Sequence, residues 1–69
     1  MFAELLIYGN AYRYRRPSDG QVFTVQYRGI VKMRSTQIVV YTFRFQNERG
    51  NACGLSLRYD EVSKCIEQT

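Results

Sequence analysis

Apolar and polar residues alternate from Gln21 to Met33, and this constrains the fold more than any other feature of the chain. Phe23, Val25, Tyr27, Val31 and Met33 take the odd positions, and Thr24, Gln26, Arg28 and Lys32 the even ones. A period of two places successive side chains on opposite faces, so the segment predicts a long strand with one buried face, here the odd one. Gly29 interrupts that face, and a glycine inside a strand marks a bulge or the bend by which a strand serves a curled sheet. Residues 37 to 46 follow, with Ile38, Val39, Val40, Tyr41, Phe43 and Phe45 too apolar for a freely exposed face. They predict a second long strand at the centre of the sheet.

The remaining elements are shorter. Residues 11 to 16 alternate with Tyr12 and Tyr14 on one side and Arg13 and Arg15 on the other, and Pro17 with Ser18-Asp19-Gly20 supplies a turn. Met33 to Thr36 connects the two long strands. Asn47 to Asn51 is a turn signal before a segment that alternates again, with Cys53, Leu55, Leu57 and Tyr59 inward. Asp60 to Ser63 reads as one helical or 3₁₀ turn, and Lys64 to Glu67 as a last short strand that returns Cys65 or Ile66 to the core. Residues 2 to 8 fit either a short helix ended at Gly9 or Asn10, or a strand from Leu5 to Tyr8.

At 69 residues the chain is one small domain, 1–69, with no linker, repeat or low-complexity segment. A domain of this size buries only about 60% of the surface that its unfolded chain exposes, which leaves little room for a deep catalytic cleft. No apolar run reaches the roughly 20 residues that span a bilayer, and the opening residues lack a basic leader, so the expectation is a cytoplasmic protein without a membrane partner. The expected architecture is mostly β: about five antiparallel strands curled into a small barrel, with a one-turn helix before the last strand.

The stretch Leu55-Ser56-Leu57-Arg58-Tyr59-Asp60-Glu61-Val62-Ser63-Lys64-Cys65-Ile66 resembles the closing strand, one-turn helix and final strand of SH3-like and Sm-like barrels. Among bacterial proteins it is loosely similar to the Rof family of Rho-binding antiterminators. The resemblance implies a small regulator that binds RNA or an RNA-handling protein. It transfers no individual site residue.

The residue inventory points away from enzyme chemistry. There is no histidine, which removes imidazole bases and His-based triads. Cys53 and Cys65 have no third or fourth soft ligand at zinc-site spacing, so they read as reduced, packed thiols, and neither a metal nor a cofactor is implied. Asp60 and Glu61 suit a helix start better than a converging acid pair. No glycine lies in a phosphate-loop pattern.

Charge supplies the functional signal. Arg13, Arg15, Arg16, Arg28, Lys32 and Arg34 face only Asp19 within residues 12 to 34, whereas the four cations and four acids of residues 35 to 69 cancel, and the whole chain carries +4. With Tyr12, Tyr14 and Tyr27 these cations make a candidate surface on which arginine engages phosphate and tyrosine stacks on bases. The expected partner is RNA or single-stranded DNA. The alternative is an acidic protein surface, contacted by an interaction module or a phage-type inhibitor through the same arginines and tyrosines, since both residue types are enriched at interface hot spots. An exposed edge strand would also offer pairing to a partner or to a second copy of this chain.

Overall fold

The computed structural model describes all 69 residues. Five strands, β1 (Ala11–Arg15), β2 (Val22–Lys32), β3 (Val39–Gln46), β4 (Ala52–Leu57) and β5 (Ile66–Gln68), form one antiparallel sheet in the order β4-β3-β2-β1-β5. A helix, α1 (Tyr59–Cys65), joins β4 to β5, and a three-residue 3₁₀ turn (Ala3–Leu5) precedes β1. β4 and β5 are the two edges, so no hydrogen-bonded ladder closes the sheet into a barrel. No helix is long and apolar enough to cross a membrane.

One core gathers side chains from every strand: Tyr12, Val25, Tyr27, Phe43, Leu57 and Ile66, with Val62 of α1 and Ala3 of the 3₁₀ turn. Leu57 and Ile66 sit on opposite edge strands, and the sheet must curl for them to share a core. The helix starts where the Glu61 carboxylate accepts a hydrogen bond from the Arg58 backbone N–H (3.0 Å), which satisfies a donor that the first turn leaves free. It then directs Val62 and Cys65 inward.

Three expectations change. The strand at the centre is β2, which pairs with both β1 and β3, rather than β3. The apolar run Ile38 to Tyr41 has a different cause: the β2–β3 hairpin extends past its neighbours as an arm on which Val40 faces Val31. The inward face of β2 also switches. Tyr27 pairs with Phe43 but Gly29 pairs with Thr42, so Arg28 is an extra residue in a bulge, and Gly29 takes the left-handed φ of +101°. Beyond it Ile30 and Lys32 lie on the core side, opposite Tyr41 and Val39, while Val31 turns outward and Met33 is exposed. Tyr59, expected inward, opens α1 and is 46% exposed, with its ring 6.3 Å from that of Tyr41.

Neither reading of residues 2 to 8 describes the N-terminal segment fully. Only Ala3–Leu5 is helical, and no strand forms from Leu5 to Tyr8. The segment is anchored by the phenol of Tyr12, which accepts a hydrogen bond from the Ile7 N–H at 2.8 Å. Tyr12→Phe is therefore expected to cost about 1 kcal/mol, because a partly buried donor loses its partner. Urea denaturation checks this, and an unchanged midpoint would contradict it.

Candidate nucleic-acid interface

The face of the sheet turned away from the core is built by the same alternation that fills the core. Tyr12 and Tyr14 point in, so Arg13 and Arg15 point out; Val25 and Tyr27 point in, so Thr24 and Gln26 point out; Phe43 and Phe45 point in, so Arg44 and Gln46 point out. Strand register aligns these side chains into rows. Arg13 lies opposite Thr24, and Ala11, Gln26, Arg44 and Gly54 form one row across four strands. Gly54 presents no side chain, and the space above it is open. Arg44 thus projects from a shallow depression bordered by Gln26, Gln46 and Ala52.

The arginines differ in how far they are neutralised. Arg13 and Arg15 share a single carboxylate, that of Glu67 on β5, at 4.0 Å and 3.5 Å. Side chains about half exposed, as these are, gain little from such pairs, and one acid leaves the two cations with a net positive charge. Arg13 also donates to the Gln68 carbonyl at 3.4 Å. Arg28 and Arg44 have no acidic partner.

Arg28 sits at the bulge with its guanidinium 5.3 Å from the ring centre of Tyr8, which is 63% exposed. Gly29 follows in the chain at its positive φ, and the ring packs beside it at an ordinary contact distance. The Tyr8 ring lies 3.7 Å from the point a Cβ would occupy, and backbone bonds from Gly9 N to Tyr27 O (2.9 Å) and from Tyr27 N to Asn10 O (3.0 Å) hold the turn against β2. An exposed aromatic ring beside a cation results, on the same face as Arg13 and Arg44.

The structure divides the residues singled out from sequence. Tyr12 and Tyr27 are core residues, 4% and 6% exposed, and Tyr14 is half-buried on the inner side. Burial pushes the phenols of Tyr14 and Tyr27 above their ordinary range. Arg13 and Arg15 come together beside Glu67 on the outer face, while Arg28 stands apart, several residues further along β2 at the bulge. Lys32 and Arg34 belong to the hairpin arm, where Lys32 has turned to the opposite side of the sheet. Two residues that the sequence reading passed over join the face, Arg44 and Tyr8.

No family model, curated protein or solved structure matches this chain. The geometry alone therefore assigns the remaining roles.

Arg16 buckles the β1–β2 turn. Its guanidinium forms a two-pronged ion pair with Asp19 and donates to Gln21 Oε1 at 3.0 Å, while its backbone N–H bonds the Gln21 carbonyl at 2.8 Å. The side chain also lies 5.1 Å from the ring centre of Phe23. The hydrogen bond from Arg16, then that from the Gln21 N–H, holds the Asp19 carboxyl down at about 2. A depressed acid stabilises the folded state above its unfolded pKa, near the ordinary 3.8, and that contribution disappears as pH falls through about 2. Asp19→Asn is expected to remove this part of the acid dependence, so that the wild type's advantage over the variant shrinks between pH 4 and 2. Thermal melts across that range check it; an advantage that grows with acid would contradict it.

Both cysteines are free thiols. Burial raises the Cys65 thiol, further from the thiolate that reactivity requires. No three His, Cys, Asp or Glu side chains come together.

Proposed function

We propose that this domain is a non-enzymatic regulator that binds single-stranded RNA or DNA across the outer face of its sheet. The observation that carries the reading is the projection of Arg13, Arg28 and Arg44 from three neighbouring strands onto one face whose only acid is Glu67. Phosphates would displace condensed counterions at these arginines, with Arg15 contributing beside Glu67 and the exposed Tyr8 offering a ring to a base. A single strand is favoured over a duplex because its bases are unpaired and free to stack on the exposed ring of Tyr8. The strand order and the helix between the last two strands support an SH3-like or Sm-like reading of the fold, in keeping with the resemblance to Rho-binding antiterminators.

The test is fluorescence anisotropy of nuclease-treated protein with labelled, mixed-sequence single-stranded RNA and DNA across a salt series. Binding at low salt that weakens steadily as salt rises is the expected result. No binding at low salt rejects the reading.

A second reading rests on the hairpin arm. Ile30, Val31, Met33 and Val39 are 59%, 50%, 47% and 38% exposed, on both sides of a two-stranded ribbon that also carries Lys32 and Arg34. That combination suits an acidic protein partner. Recovery of one dominant protein after nuclease treatment, lost on Ile30→Ser with Val31→Ser, would favour it.

A further inference from the structure

At the end of the sheet opposite the arm, the β1–β2 and β3–β4 turns enclose an open cleft of about 350 Å³. Its floor is aromatic. Phe23 and Phe45 are tilted at 43° with ring centres 5.7 Å apart, and Cys53 on β4 lies beside Phe45. The rim is built of hydrogen-bond donors. Gln21 uses its Oε1 to accept from Arg16, and Asn47 uses its Oδ1 to accept from the backbone N–H groups of Arg49 and Asn51, so both amides keep their NH₂ groups without an intramolecular acceptor. Arg49 has no acidic partner within ion-pair distance.

We infer that this cleft is a pocket for one unstacked base, preferring a carbonyl-bearing pyrimidine such as uracil or thymine. The inference rests on the proposed binding of single-stranded nucleic acid. Three features carry it. The partly exposed phenylalanines offer π-faces, and the guanidinium on Phe23 extends that surface, since arginine planes also stack on bases. The free rim groups of Gln21 and Asn47 are donors, which match the carbonyl oxygens of uracil and thymine better than the Watson–Crick edge of adenine, where an amino group meets them. The cleft's charges nearly cancel, Arg16 and Arg49 being offset by Asp19 and Glu48, which suits a neutral base rather than a phosphate.

Position links the cleft to the basic face. Phe45 borders both the cleft and the depression around Arg44. A strand whose phosphates cross the outer face at Arg44 can therefore turn one base over the end of the sheet onto Phe45.

Two measurements on the unaltered protein test this. The first compares the affinity of oligothymidine with that of an abasic strand of the same length and charge; the expected loss without bases is about tenfold, within the range of base–aromatic stacking. The second follows alkylation of Cys53, read by mass spectrometry, which oligothymidine slows and the abasic strand does not. Oligoadenine should bind more weakly than oligothymidine and protect Cys53 less. Equal affinity for both strands, or Cys53 alkylation unaffected by bound oligothymidine, would overturn the pocket while leaving the basic face intact. Absence of binding by either strand at low salt would reject the face and the pocket together.

Discussion

Phe43→Ala is expected to unfold most of the protein at room temperature. Phe43 is 2% exposed and lies between Tyr27 and Leu55 on the flanking strands, with its ring centre 5.4 Å from that of Tyr27. Truncating a buried phenylalanine costs about 3–5 kcal/mol, from lost transfer energy and the cavity left behind. A domain of this length has a total stability on the order of 3–10 kcal/mol. Only nine residues are buried, so little else can collapse into the space. Circular dichroism in urea is expected to show a greatly weakened or absent cooperative transition for Phe43→Ala, and a retained one for Phe43→Leu, which keeps most of the apolar volume. A wild-type midpoint in the alanine variant would contradict the packing described.

The second large effect concerns binding. Removing Arg13, Arg28 and Arg44 together is expected to flatten the dependence of log affinity on log salt by about 2, since each phosphate contact on a single strand contributes about 0.7 to the slope. Relative to salt of about 1 M, where such contacts contribute little, the same change corresponds at about 0.1 M to a loss of roughly a hundredfold in affinity. All three side chains are exposed, and the variant should fold normally. Arg16→Ala makes the informative contrast. Arg16 is engaged with Asp19, Gln21 and Phe23, so its loss should weaken the β1–β2 turn and leave the salt slope unchanged. The opposite pattern would move the interface to the turn.

That contrast marks where the sequence could be read and where it could not. β1, β2 and β4 are legible because a half-buried strand must alternate, β3 because of its apolar run, and the outward placement of Arg13 and Arg15 follows from the inward placement of Tyr12 and Tyr14. Gly29 signalled a bulge, but a glycine does not say how many residues the bulge absorbs. One extra residue exchanged the faces of Ile30 and Val31 and moved Lys32 away from Arg28. The 3₁₀ turn at Ala3–Leu5 is too short to leave a period, and Phe2, Leu5, Ile7 and Tyr8 are exposed despite their apolar character.

The candidate site was legible in its charge and not in its partners. Arg16 looked equivalent to Arg13 and Arg15, yet an acid three residues away in a tight turn captured it. Glu67, remote in sequence, reached Arg13 and Arg15 only because β5 pairs with β1. The tyrosines alternated correctly, and that alternation places Tyr12 and Tyr27 in the core once β1 pairs with β2. Arg44 carried a signal that alternation offers, as a polar residue between Phe43 and Phe45, but it was masked by the apolar run that precedes it. Tyr8 carried none, because its place beside Arg28 depends on the bulge.

Titration of ¹⁵N-labelled protein with short single-stranded RNA, followed by amide and arginine side-chain shifts, locates the binding surface residue by residue. The largest changes are expected on Arg13, Thr24, Gln26, Arg28, Arg44 and Gly54, with the arm residues Ile30 to Val39 unmoved. Changes confined to the arm, or none at low salt, would contradict binding across the outer face.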